Sequence, residues 1–295
     1  MRELVLLSGK GGTGKTSLAA SFAHLAAVGE IPVRAVIVDA DVDASNLELV
    51  LDPVLLEDRA FEGGKVAVID RDRCTGCMEC MEVCRFEALH LSPDSPDLVT
   101  VDPVSCEGCA ACMHICPENA VHMEQEIAGS LYHSESRYGP LFHAVLHPMQ
   151  DNSGKLVMAV REMARTHVSN NGFDLILVDG PPGIGCPVIS AVTGADLALI
   201  VTEPGAAGVH DLKRIVETTG HFSVPILVCI NKADIHPEGT AEIKAYCLER
   251  NIEVIGMIPF DAAVTIAMIE GVPVTACGNG PAVREIHHLW KRLLR

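Results

Sequence analysis

The sequence predicts a doubly wound α/β domain with a mostly parallel sheet, interrupted by a small inserted α+β domain. Three observations carry that reading. Short runs of β-branched residues and leucine alternate with helical stretches along most of the 295 residues. A loop rich in glycine and lysine joins the first such run to the first helix. A cysteine-dense stretch that repeats internally breaks the alternation between about Phe61 and Glu126.

In chain order, Leu4–Leu7 reads as a strand and Thr16–Val28 as a helix. Val33–Val38 follows the break at Gly29 and Pro32. Leu175–Val178 leads into a Gly/Pro turn, and Leu197–Val201, Ile226–Ile230 and Val254–Met257 repeat the same form. Runs that are apolar throughout are expected to be buried on both faces, as in a parallel sheet covered by helices. The covering helices are expected at Val209–Thr219, Gly239–Arg250 and Ala282–Leu294, and Ser153–Lys155 opens another with Leu156, Val157 and Val160 inward. Ser130–His133 and Leu141–Val145 read as two short strands. The expected division is residues 1–60 and 127–295 for the α/β domain and 61–126 for the insertion.

A hydrophobic share of 48% supplies a core and excludes a disordered chain. The balance of 39 acidic against 22 basic residues, net −17, argues against nonspecific binding to nucleic acid or anionic membrane. No run approaches the roughly 20 apolar residues of a membrane span, and Met1–Leu7 is too short for a signal peptide. Of twelve cysteines, eight lie between Cys74 and Cys116, and Cys186, Cys229, Cys247 and Cys277 are scattered. That clustering points to metal chemistry in a reducing compartment. A soluble cytoplasmic protein is expected, with no nucleic-acid partner and no stable membrane insertion.

Gly9-Lys10-Gly11-Gly12-Thr13-Gly14-Lys15-Thr16 fits G-x-x-x-x-G-K-[ST], followed by Ser17. Glycines let backbone N–H groups approach phosphate oxygens, Lys15 brings a positive charge to them, and the Thr16 hydroxyl suits Mg²⁺. The helix that follows points its positive end at the same anion. Further on, Asp39-Ala40-Asp41 closes one strand and Asp179-Gly180-Pro181-Pro182-Gly183 follows another. Carboxylates at strand ends can hold the water shell of Mg²⁺ and orient an attacking water.

In the cysteine stretch, Val66–Leu91 aligns with Leu98–Met123 at an offset of 32 residues. Cys74-x₂-Cys77-x₂-Cys80-x₃-Cys84 and Cys106-x₂-Cys109-x₂-Cys112-x₃-Cys116-Pro117 have the spacing of bacterial two-cluster ferredoxins. Three closely spaced cysteines wrap one cubane and the fourth serves the other. The expected sets are therefore Cys74, Cys77, Cys80, Cys116 and Cys84, Cys106, Cys109, Cys112. Two zinc sites would leave the x₃ cysteines unexplained. Arg85 stands where the motif usually has proline, beside Cys84.

With Lys10, the first loop resembles the deviant phosphate loop of the MinD, Mrp and nitrogenase-iron-protein group of P-loop ATPases. Asp39–Asn46 resembles that group's first switch, and Asp179–Gly183 its Walker B strand and second switch. The resemblance implies ATP and Mg²⁺ as ligands and an ATP-dependent homodimer, with Lys10 reaching nucleotide across it. It implies that Lys10, Lys15 and Asp41 are catalytic, Asp41 orienting the water. Gly11–Ser17 would hold phosphate, while Thr16, Asp39 and Asp179 face Mg²⁺. Asn231-Lys232-Ala233-Asp234 resembles both the base-reading N-K-x-D of GTPases and the segment whose asparagine meets adenine in the ATPases. Lys10 favours ATP. Pro259-Phe260 resembles the segment beside the base.

The whole pattern resembles MinD-type ATPases carrying an inserted ferredoxin domain with two 4Fe–4S clusters. The expected activity is slow, partner-stimulated ATP hydrolysis. Nucleotide state would gate the clusters for metal-cluster assembly or delivery, or for electron supply to it. The partner would be a client metalloprotein, a cluster-assembly protein or a redox protein. The alternative is a MinD- or ParA-like positioning switch with the clusters as redox sensor. Cys186 and Cys229 are expected to be buried and free, with no C-x₂-C pair to bind a bridging cluster. The final helix is expected to pack Ile286, Leu289, Trp290, Leu293 and Leu294 on the core rather than on a membrane.

Overall fold

The computed structural model describes residues 2–93, 95–150 and 153–295, so Met1, Asp94, Asp151 and Asn152 lie outside the described residues. The chain divides into two compact units. The first comprises Met1–Arg59, Leu131–Val145 and Ser153–Arg295, and the second comprises Ala60–Ser130 and Leu146–Asn152.

The first unit opens with β1 (Arg2–Ser8), α1 (Lys15–Val28), β2 (Ala35–Asp39) and α2 (Glu48–Leu51). The chain enters the second unit within β3 (Val54–Ile69), which carries it to α3 (Glu79–Val83), β4 (Leu89–Ser92), β5 (Ser95–Val101) and α4 (Ala111–Ile115). It returns within β6 (Val121–Ser136) and β7 (Gly139–Leu146). Then follow α5 (Ser153–Asn171), β8 (Leu175–Pro182), α6 (Cys186–Val192), β9 (Leu197–Thr202), α7 (Ala206–Gly220) and β10 (Ile226–Asn231). The chain closes with α8 (Pro237–Glu249), β11 (Glu253–Ile258), α9 (Ala262–Ile269), α10 (Val274–Cys277) and α11 (Pro281–Leu293).

The sheet order is β11-β10-β9-β1-β8-β2-β7-β6-β3, and every pairing from β11 to β7 is parallel. Parallel strands lie under helices on both faces, so β1, β2, β8 and β9 are buried almost throughout, as their unbroken apolar runs predict. Alternate side chains divide between the faces. Leu4, Leu6, Leu175, Leu177 and Leu199 share one core with Phe22 of α1 and with Ile286, Leu289, Trp290 and Leu293 of α11. The apolar stripe of α11 therefore lies on the sheet, and the Phe22 and Trp290 rings pack with a 34° tilt and centroids 5.1 Å apart. Leu156, Val157 and Val160 of α5 are buried as well.

Two expectations about strands need correction. Ser130–His133 is not a short strand but part of the 16-residue β6, Val121–Ser136, which lies between β7 and β3 in the sheet. Val254–Met257 is not buried on both faces. It lies in the edge strand β11, where Ile255 and Ile258 are buried and Met257 is exposed.

Within the second unit, the sequence repeat has a backbone counterpart. Positive φ recurs at the 32-residue offset at Gly76 and Gly108, Met78 and Ala110, and Glu87 and Asn119. At the glycines this is obligatory: a Cβ would lie 1.9 Å from the Asp97 carbonyl oxygen at Gly76 and 2.2 Å from that of Lys65 at Gly108. Strands β4 and β5 pair antiparallel, and Ala67, Leu89, Val99 and Val121 form a small core with Cys80 and Cys112.

Candidate nucleotide and cysteine sites

The phosphate loop is set by β1 and α1. Gly14 caps α1 with φ 88°, and a Cβ there would lie 2.3 Å from the Asn231 amide nitrogen. No side chain caps the helix and its first turn holds no acid, so its first N–H groups stay directed at the loop. Gly11, Gly12, Thr13, Gly14, Lys15, Thr16 and Ser17 line one cavity, which is completed by Asp41, Asp43 and Asn46 on one side and Pro181, Pro182 and Pro187 on the other.

Three charged side chains sit beneath that cavity. Register pairs Asp39 of β2 with Asp179 of β8, so two carboxylates are neighbours at the sheet's carboxyl end. Lys15 Nζ donates to Asp179 Oδ1 at 2.7 Å, with both groups buried. Asp179 Oδ2 is buried with no hydrogen-bond partner, and so is the Thr13 hydroxyl. Buried polar atoms left open at a glycine-rich loop are what a missing ligand would satisfy. Asp39 is fully buried and holds the switch segment. Its Oδ1 accepts from the Asp41 N–H, and its Oδ2 accepts from the Ser45 hydroxyl and the Asn46 and Leu47 N–H groups, all within 3.1 Å. Burial, reinforced by Asp179, pushes the Asp39 carboxyl up to about 7. Burial raises Asp41 to about 6, against the attraction of Lys15. Asp41 thus lines the cavity, whereas Asp39 lies behind it as the knot of the loop.

The remaining expected residues sit elsewhere. Lys10 is not part of the cavity wall; its Nζ lies 2.5 Å from Glu203 Oε1. The Asn231 amide donates to the Thr13 carbonyl at 2.7 Å, and its oxygen accepts the Lys232 N–H. Asp234 accepts the Phe260 N–H at 2.6 Å. Asn231 and Asp234 thus brace the loop and the β11–α9 turn. Pro259 lines a different groove, against α11. Glu203, which sequence reasoning passed over, carries the same signal as the switch aspartates: a carboxylate at the end of a buried strand, here directly before Pro204.

Among the cysteines, Cys74, Cys77, Cys80 and Cys116 line one small cavity, with Ile69, Val99 and Val121. Cys84, Cys106, Cys109 and Cys112 line a second, with Ala67, Leu89 and Met123. The structure brings together the same two sets of four that the spacing pairs. Each set also receives a backbone N–H at sulfur, from Ala120 to Cys116 at 3.3 Å and from Ala67 to Cys106 at 3.5 Å. No group of three or more His, Cys, Asp or Glu side chains among the described residues is gathered to hold a single metal ion. Cys229 is buried, with burial pushing its thiol up to about 12. Cys186 corrects the expectation: it is exposed, because Val188, Ala191 and Val192 take the buried face of α6. Arg85 is exposed.

Residues 4–274 match the model of the CobQ/CobB/MinD/ParA nucleotide-binding domain family. The chain belongs to this family. A Methanocaldococcus jannaschii protein, MJ0578, is 32% identical, over 99% of this chain and 96% of its own length. A putative septum site-determining protein MinD of Chlorella vulgaris is 24% identical over 92% of this chain and 77% of its own. An iron–sulfur cluster carrier protein of Pyrococcus abyssi is 26% identical over about half of each chain, 48% and 52%. The MinD cell division protein of Aquifex aeolicus has the same fold, with a TM-score of 0.58, 22% identity and coverage of 100% and 97%. The α/β fold is thus that of the MinD-like nucleotide-binding proteins. Among the described residues, no helix is long and apolar enough to cross a membrane.

Proposed function

We propose that this family member is an ATP-hydrolysing iron–sulfur protein, in which nucleotide state governs two 4Fe–4S clusters for cluster assembly or delivery, or for electron supply to that process. The observation that carries the reading is that each of the two cysteine cavities is ringed by one crossed set of four thiols, in a chain that also bears an open phosphate loop. The donor sets fit such clusters: four cysteines each, in an apolar pocket, with N–H groups turned to sulfur. When bound, the clusters supply one-electron chemistry or transferable iron and sulfide. The chain's own part is to gather each set of thiols around an apolar pocket, with Cys80 and Cys112 buried and Cys77 and Cys109 at the surface.

At the loop, the free α1 amides, Gly11–Gly14 and Lys15 would hold the triphosphate. Thr16, which lines the cavity, and Asp179, whose Oδ2 has no hydrogen-bond partner, would meet Mg²⁺. Asp41, at the cavity edge, would orient the attacking water. Asp39 would act through the switch segment it fastens rather than by direct contact. The proposed assembly is an ATP-dependent homodimer acting on a metalloprotein or redox client. Similarity to a MinD relative over 92% of this chain supports the second reading, a positioning switch with redox-sensing clusters.

Anaerobic purification should yield about eight irons and eight sulfides per chain, the sum of two four-iron clusters. Cys80→Ala should lose one cluster first. Stoichiometric zinc without iron after anaerobic reconstitution would exclude the iron–sulfur reading. An intact iron count with no ATP turnover in any partner-containing fraction would leave the hydrolytic half without support.

A further inference from the structure

Glu203 makes contacts that the reading above leaves unused. Its Oε1 lies 2.5 Å from Lys10 Nζ and its Oε2 3.2 Å from Lys232 Nζ. Lys232 Nζ also lies 3.5 Å from the Gly12 carbonyl oxygen. One carboxylate therefore ties the phosphate loop to the segment after β10. Glu203 is 22% exposed and Lys10 34%, which puts the bridge at the protein's surface and not in its core. Burial opposes ionisation of Glu203, but hydrogen bonds from Lys10 and Lys232 outweigh it and hold the carboxyl below its usual range.

The backbone under Glu203 cannot follow a moving lysine. Its carbonyl accepts the Gly205 N–H at 2.9 Å, and a Cβ on Gly208 would lie 2.0 Å from the same oxygen. The N-terminal turn of α7 is packed directly on that carbonyl. Lys10 is held on one side only: its carbonyl accepts the Ser8 hydroxyl at 2.9 Å and Gly9 packs on Asp211, but Gly11 and Gly12 beyond it meet no neighbouring atoms. If the loop shifts around an anion, it is the Lys10–Glu203 contact that must break.

Resting on the nucleotide reading of the loop, we propose that Glu203 is a positioning residue, an in-chain latch that holds Lys10 away from the phosphate cradle and competes with bound triphosphate for it. An ammonium that neutralises a carboxylate at this distance is not free to neutralise a phosphate. Binding of the polyanion then includes exchange of one partner for the other. Such a half-exposed pair is worth on the order of a factor of three to ten in the binding constant.

The test uses the full chain and a fluorescent, non-hydrolysable ATP analogue with Mg²⁺. Glu203→Gln keeps the side chain's size and removes its charge, and should bind the analogue about threefold to tenfold more tightly than the parent. The gain should vanish in the Lys10→Ala background, because the lysine being released is gone. Glu203→Asp, which keeps the charge, should stay closer to the parent, and thermal melts should show all variants folded. An unchanged affinity in Glu203→Gln overturns the latch. So does a gain that survives in Lys10→Ala, which would mean that release of Lys232, or simple repulsion between Glu203 and phosphate, carries it. A parent chain that does not bind the analogue overturns the nucleotide reading, and the latch with it.

Discussion

Asp41 and Asp39 are two residues apart, yet they do different work. Asp39 is enclosed and fastens the loop through four hydrogen bonds, whereas Asp41 is at the cavity edge. Asp41→Ala should therefore keep nucleotide binding and lower turnover by about 100-fold or more, since it would remove the carboxylate proposed to orient water and leave the phosphate cradle. Equilibrium binding beside single-turnover hydrolysis checks this, and equal losses in both would place Asp41 in the cradle instead. A second residue-scale effect concerns His133 and His167. His133 stacks on Phe142 at 4.4 Å between centroids, and His167 meets its edge at 5.0 Å. Burial pushes both imidazoles down, with the His133 charge adding to the shift at His167. The folded chain thus binds fewer protons than the unfolded chain as pH falls through the ordinary imidazole value of 6.5. Stability from this source is complete above that value and is lost below it. Melting temperature should fall between pH 7 and 5, and His133→Phe with His167→Phe should flatten the slope. An unaltered slope in the double variant would remove these two residues from the effect.

At the scale of elements, α11 joins the end of the chain to its start. Trp290, the single tryptophan, is buried against Phe22 of α1, the helix that carries Lys15 and Thr16. Trp290→Ala should cost about 3–5 kcal/mol, from lost burial and the cavity left behind. Chemical denaturation followed by circular dichroism measures it. A cost below about 1 kcal/mol would show that α11 repacks around the gap. The same burial explains why the basic face of α11, with Lys291 and Arg292, is the one left to solvent and to ion pairs with Glu30 and Glu253.

At the scale of the molecule, the prediction concerns coupling. The chain leaves the first unit within β3, between Arg59 and Ala60; β3 itself begins three residues after α2, and α2 follows directly on the switch segment that Asp39 fastens. If that segment moves with nucleotide, this connection would carry the movement toward the second unit. Cluster-loaded protein should lose iron to a chelator at different rates in its ATP-analogue and ADP forms. Because linkage is reciprocal, cluster oxidation should change nucleotide affinity by the matching factor. Identical chelation rates in the nucleotide-free, ADP and ATP-analogue forms would show two independent units on one chain.

Much of this protein is legible in its sequence. Strands buried on both faces announce themselves as unbroken apolar runs, and the Gly9–Thr16 loop by glycines at positions where side chains would obstruct an anion. The cysteine repeat is legible too, because spacing alone limits which thiols can share a pocket. These are local signals, encoded within a few residues. What tertiary structure decided is pairing between segments far apart in the chain. Asp39 and Asp179 become neighbours only through the register of β2 on β8, with Asp39 fully buried and Asp41 half-buried at the cavity edge. Asn231 turns to the phosphate loop because Gly14 lets its amide approach. Cys186 is exposed because only the other face of α6 meets the sheet. Glu203 joins Lys10 across 193 residues of chain, by a carboxylate whose sequence context is only a strand end before proline. Periodicity and spacing specify elements and motifs, because those depend on neighbours along the chain. Which charge meets which depends on how the sheet is ordered, and no single segment carries that information.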